Sequence, residues 1–114
     1  MNELNIITLN TGGLGFSRKL HSLVHEMDIL NCEVFLLQET HVSCKKQAVC
    51  FEKLWDGQCF WSFGTGKSAC VAVVFRFGFS GKIIQFLTDS DGRILCLLID
   101  LNSFKLNLVN ILCS

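Results

Sequence analysis

The 114-residue chain contains no proline, so its turns must come from glycine and from clusters of Asn, Asp and Ser. Charge is scarce: Lys, Arg, Asp and Glu make up 18%, below the roughly 25% usual for soluble domains. It is also balanced, ten basic against ten acidic residues, so no overall excess advertises an acidic or a polyanionic partner. A local groove can still be basic within a neutral whole. Long hydrophobic runs are missing despite an apolar content of 50% and a mean hydropathy of +0.43. The longest, residues 69–75, has seven residues against the roughly 20 of a membrane span, so no membrane is expected. No Lys or Arg precedes Arg18, which leaves no basic region for a signal peptide. The seven cysteines, at 32, 44, 50, 59, 70, 96 and 113, include no C-x-x-C pair. An odd count without metal or redox spacing argues against a disulfide scaffold and for a reducing compartment, nucleus or cytoplasm. The surplus of apolar residues implies surface meant to be covered.

What is present reads as one domain or a piece of one; a complete domain of this length buries roughly 65% of the surface its unfolded chain exposes. Residues 4–9 (LNIITL) form an apolar run, expected as a buried strand, closed by Asn10-Thr11-Gly12-Gly13. Leu20, Leu23, Val24, Met27 and Leu30 then recur at helical spacing, with Ser17 as the expected N-cap. Residues 34–37 are a second short β-compatible run, ending at Gln38-Glu39, and residues 43–54 a weaker helix. From Cys59 onward the pattern is of strands, over 60–63, 69–75, 82–87, 94–101 and 104–112. Asp89-Ser90-Asp91-Gly92 and Asn102-Ser103 mark turns, and Phe104, Leu106 and Leu108 alternate with Lys105 and Asn107 as in a half-buried strand. The fold class is α/β: a mixed sheet with two helices, then consecutive β-hairpins.

The first strand–helix–strand unit carries the chemical information. Asn10 and Glu39 lie 29 residues apart, the length of one βαβ crossover. Such a crossover makes the strands parallel and brings both residues to the carboxyl end of the sheet, where open α/β sheets bind ligands. Gly12, Gly13 and Gly15 keep the adjoining loop small enough for a bulky substrate to approach. A carboxylate suits a hard cation such as magnesium, and an amide can orient it or donate to a phosphate oxygen. Spacing alone leaves a second reading open, in which Asn10 makes a turn and Glu39 ends a solvated strand.

The segments "ITLNTGG" and "VFLLQETH" resemble the first two motifs of the endonuclease/exonuclease/phosphatase superfamily. Within it they are most similar to the apurinic-type endonuclease domains of LINE-type retrotransposons. "SACVAVVF", "DSDGRIL" and "LNLVNIL" resemble the following strands in the right order, although Cys70 stands where glycine is usual. The resemblance implies a four-layered α/β sandwich with its site in the groove between two packed sheets. It implies a magnesium- or manganese-dependent nuclease acting on DNA, of which residues 1–114 are the N-terminal half, truncated before the later catalytic motifs. Glu39 matches the metal-binding glutamate, and Asn10 the asparagine that positions that glutamate and the scissile phosphate. Thr40 and His41 match in type only. Asn110 matches the Asn of the family's N-I-Y-A-P strand, while Leu112 occupies the place of its active-site tyrosine and can neither donate a hydrogen bond nor stabilise charge. The resemblance places the family's Asp-x-Asn and Asp-His pairs beyond Ser114, so the chain is expected to lack meaningful nuclease activity. Alternatives are a non-catalytic remnant or nucleic-acid-binding module, and a phosphatase acting on an inositol phosphate or sphingolipid. With the second sheet expected missing, the inner face of the first sheet would be uncovered and promote self-association.

Four other signals weigh less. The Gly64–Ser68 segment lacks the first glycine of a P-loop, Trp61 standing in its place, and precedes a strand rather than a helix; Lys67 would at most touch a phosphate backbone. His21 and His25, four apart, fall opposite the apolar stripe without a zinc-helix glutamate. His41 and Cys44 lack an orienting third group for nucleophilic catalysis. Phe51, Trp55, Phe60, Trp61 and Phe63 are expected to pack in the core rather than stack on bases.

Overall fold

A computed structural model describes residues 3–15, 17–64 and 70–112, without the side chain of Ser17. The elements run β1 (Ile6–Asn10), α1 (Ser17–Ile29), β2 (Val34–Gln38), α2 (Lys45–Glu52), β3 (Cys59–Ser62), β4 (Val71–Phe75), β5 (Lys82–Thr88), β6 (Ile94–Asp100) and β7 (Lys105–Ile111). The first four strands make a mixed sheet in the order β1-β2-β4-β3, with β1 and β2 parallel across α1. The last three make an antiparallel meander, β5-β6-β7.

Alternation along the strands sorts the apolar residues into two cores. Phe35 and Leu37 of β2 and Ala72 and Val74 of β4 face the helices, where Leu20, Met27, Ala48, Phe51 and Trp55 cover them. Val34, Leu36, Val71, Val73 and Phe75 face the other way, against Leu95, Leu97, Ile99 and Leu108 of the second sheet. Strands β2 and β4 are therefore buried on both faces, which explains their continuous apolar runs.

The second sheet is thus present, and it covers the inner face of the first; the expected exposure of that face does not occur. The exposed apolar face is the outer side of the second sheet, where Leu87, Val109 and Ile111 are 54%, 48% and 52% exposed. Residues 4–9, expected as a buried strand, supply an edge strand instead: β1 alternates exposed and half-buried because the second sheet does not reach across it. Ser17 begins α1 itself, and its side chain lies outside the described residues, as does the segment 65–69 with Lys67.

Two side chains, one buried and one half-buried, fix how the layers meet. Asn110 on β7, 1% exposed, accepts from Gln38 Nε2 at 2.7 Å and donates to Leu37 O and Ala72 O at 3.1 and 2.8 Å. It ties the second sheet to the ends of β2 and β4 by adding a side-chain donor to a backbone carbonyl of each strand. At the opposite end Arg76 donates to Met27 O, Leu30 O and Cys32 O at 2.8, 2.6 and 2.8 Å. Its guanidinium so satisfies carbonyls at and just beyond the C-terminus of α1, where the helix dipole favours a cation.

The five aromatic residues pack as expected. Phe51, Trp55 and Trp61 are buried, and the indole N–H groups of the two tryptophans donate to Phe75 O at 2.8 Å and Glu52 Oε2 at 3.0 Å. Phe63 stacks on Trp61, and Phe60 meets Phe75 edge to face. All six described cysteines are free.

Candidate active site

Strands β1 and β2 pair in parallel register with Asn10 opposite Gln38, so Asn10 and Glu39 stand on adjacent strand ends. Beyond the ladder the two chains remain bonded: Thr11 N donates to Gln38 O at 2.9 Å, Gly13 N to Glu39 O at 2.7 Å, and Leu14 N to Thr40 O at 2.9 Å. The Thr11 hydroxyl, buried, is shared between Gln38 O and Glu39 O at 3.2 and 2.9 Å. Glu39 is thereby held by its own carbonyl in a left-handed conformation, φ 52°, and His41 follows at φ 59°. Neither is glycine, and the left-handed region costs an ordinary residue roughly 1–2 kcal/mol. Two such residues in three mark a loop whose shape is imposed by its bonds, which motivates a functional reading. Thr40 between them is fully buried, its N–H and hydroxyl both bonded to Cys70 O, and so serves the backbone.

The side chains at this end differ in exposure. Asn10 is exposed and points to the groove side of β1, opposite the helix-facing Ile7 and Leu9. Its Oδ1 accepts from Gly12 N at 3.1 Å, which leaves the two Nδ2 hydrogens to donate outward. Glu39 is half-buried, and among the described residues nothing hydrogen-bonds its carboxylate. Gly12 and Gly13, at φ 64° and 103°, are needed for space as well as conformation. A Cβ at Gly12 would lie 3.0 Å from Lys19 Nζ, and one at Gly13 would lie 2.8 Å from His41 Nδ1. The ammonium of Lys19 and the imidazole of His41 therefore flank the glycine loop. Lys19 was not identifiable from sequence as part of this region. Its one signal was its place in the first turn of α1, directly after the loop.

The remaining residues from the sequence reading fall elsewhere or serve the fold. Asn110 is committed to the inter-sheet bonds described above, and Leu112 packs on the inter-sheet core. Cys70 has φ 77°, in the left-handed region that favours glycine. His21 and His25 are exposed and line an open cavity of 630 Å³ with Asp28, Asp56 and Arg76, at the end of the sheet away from Glu39. Among the described residues no group of three or more His, Cys, Asp or Glu gathers to hold a metal. A magnesium site would thus rest on the Glu39 carboxylate with water and substrate oxygens. That donor set fits an ion that commonly keeps several waters and takes one or two carboxylates.

The β5–β6 turn closes the same end. Asp89 Oδ1 accepts from Arg93 N and Ile94 N, both at 3.0 Å, and from the Ser62 hydroxyl at 3.3 Å. Burial pushes its carboxyl upward, but these hydrogen bonds outweigh it and hold the group below its ordinary value. The thiol of Cys59, half-buried near the Glu52 carboxylate, is pushed up to about 12, chiefly by desolvation.

This is the fold of part of an AP-endonuclease-type α/β sandwich. The AP endonuclease LMAP from Leishmania major superposes with a TM-score of 0.76 over 97% of this chain and 40% of its own, at 19% identity. The endonuclease domain of TRAS1, a telomere-specific non-LTR retrotransposon, superposes with a TM-score of 0.65 over 97% of this chain and 46% of its own, at 14% identity. The chain thus spans less than half the length of either. No family model and no curated protein matches it by sequence.

Proposed function

We propose that this chain carries the metal- and phosphate-binding portion of a DNA endonuclease of the retrotransposon type, and that it is catalytically incomplete by itself. The parallel pairing that sets Asn10 and Glu39 side by side supports this most strongly, because it assembles a carboxylate and an amide donor at the ligand-binding end of the sheet. In this reading Glu39 holds magnesium, or manganese in its place. Such an ion, when bound, supplies Lewis-acid stabilisation of charge on phosphate oxygens. Asn10 donates from Nδ2 to a non-bridging phosphate oxygen, and Lys19 adds a positive charge beside the glycine loop.

Hydrolysis also needs a base to activate water, and the resemblance assigns none among these residues. A missing general base costs about 100- to 10,000-fold in rate. Two observations favour nucleic-acid binding without efficient cleavage. Leucine stands at position 112, and Asn110 has every amide hydrogen committed to backbone carbonyls.

Nicking of supercoiled plasmid in magnesium, with Glu39→Ala in parallel, tests the incompleteness: the reading expects no Glu39-dependent nicking above background. Robust nicking that vanishes in the variant would refute it. Absence of any salt-sensitive DNA binding would refute the nucleic-acid assignment.

A further inference from the structure

A cavity of 230 Å³ lies directly beside the glycine loop, between the β1–α1 connection and α2. Its apolar lining comes from Leu14, Leu20 and Val42, each 5–7% exposed, and its polar rim from His41 and Gln47. Gly15 stands at its mouth, where even a Cβ would meet nothing within 4 Å. The volume falls below the roughly 300 Å³ at which pockets for drug-sized ligands begin, and so suits one ring system rather than a whole nucleotide.

We propose that this cavity receives a single unstacked nucleobase of the nucleic-acid strand whose phosphate lies at Asn10 and Glu39; the inference rests on the function proposed above. The apolar lining of Leu14, Leu20 and Val42 suits the apolar faces of a base. The amide of Gln47 matches its edge, because the Oε1 atom is already occupied, accepting from Ser43 N at 2.7 Å and Ser43 Oγ at 3.1 Å. What Gln47 presents is therefore Nε2, a donor, which selects an acceptor edge such as purine N7 or a ring carbonyl. Continuity with the phosphate site is direct. His41 lines the cavity and packs against Gly13, whose N–H is bonded to Glu39 O. Taking a base out of a duplex costs a few kcal/mol, so single-stranded or unpaired positions are preferred.

Cys50 provides the readout, since its exposed thiol lines the same cavity, whereas Cys44, also exposed, does not. Alkylation of both by iodoacetamide is followed by peptide mass spectrometry, with deoxynucleoside monophosphates, deoxyribose 5-phosphate or buffer alone. At about twice a ~1 mM dissociation constant, a purine nucleotide slows alkylation of Cys50 about 3-fold and leaves Cys44 unchanged. Deoxyribose phosphate protects neither. Val42→Phe, which fills the cavity, and Gln47→Ala, which removes the donor, each abolish the protection; either suffices if the other fails to fold. The assay is run in EDTA, without divalent metal, so base binding and metal binding fail or succeed separately. Equal rates with and without nucleotide, equal protection of Cys44, or equal protection by the sugar phosphate would each overturn the proposal.

Discussion

Replacing Asn110 separates a residue that holds the sheets together from one that serves a reaction. The side chain is 1% exposed and makes three hydrogen bonds, two of them to carbonyls of the opposite sheet. Asn110→Ala removes both donors and leaves Leu37 O and Ala72 O without that partner. Each lost donation removes about 0.5–1.5 kcal/mol net and the truncation leaves a small void, while the third bond ends at Gln38, which is half-buried and can turn to water. The expected loss is about 3 kcal/mol, a large share of the 5–15 kcal/mol that keeps a domain folded. For a chain of this size it corresponds to a fall in Tm of roughly 10–15 °C. Asn110→Asp is worse still near neutral pH, since a carboxylate cannot donate and sets a buried charge against two carbonyl oxygens. Urea titration with thermal melting measures both. A loss below about 1 kcal/mol in Asn110→Ala, or an aspartate variant milder than the alanine one, would refute the inter-sheet role.

Cys59, with its thiol pushed up to about 12, is alkylated far more slowly at pH 8 than exposed Cys44 and Cys50 in the native chain; equal rates would contradict the burial argument. Its folded value is raised above 9.0, so its stabilising share is complete below pH 9.0 and is lost as pH rises toward about 12, which alkaline unfolding tests. Asp89 behaves in the opposite sense. Its folded value is depressed, so its share is present above 3.8 and is lost as pH falls through the lower folded value, and Asp89→Ala should flatten the acid limb of a stability–pH profile. The exposed apolar outer face of the second sheet is expected to promote self-association: sizing chromatography should show species larger than the monomer, shifted toward monomer by Val109→Lys. A monomer peak in the unaltered chain would contradict this.

The βαβ unit was legible because two independent signals agreed, a helical repeat of Leu20, Leu23, Val24 and Met27 between two short apolar runs, and a glycine loop after the first. The turns at Asp89–Gly92 and Asn102–Ser103 were legible from side chains that tolerate or stabilise tight backbone, and Gly92 and Asn102 do adopt positive φ. Strand β1 was misjudged as buried because an apolar run does not reveal whether a second sheet reaches over it. The covering of the first sheet by β5, β6 and β7 was misjudged for the same reason: it depends on contacts between residues far apart in sequence. At the candidate site the placing of Asn10 and Glu39 on adjacent strand ends could be inferred from spacing. The left-handed turn at Glu39 and His41 could not, because no glycine announces it and the bonds that impose it come from Thr11 and Gly13 across the sheet. Lys19 and the cavity at Gln47 escaped notice because their proximity to the loop follows from how the helices pack.

The central claim is that Glu39 holds a divalent ion at the carboxyl end of β2, and titration with Mn²⁺ followed by electron paramagnetic resonance tests it most directly. The account predicts saturable binding in the unaltered chain, weakened in Asn10→Ala and lost in Glu39→Gln, with the fold of both variants intact by circular dichroism. Binding of equal strength in Glu39→Gln would contradict it.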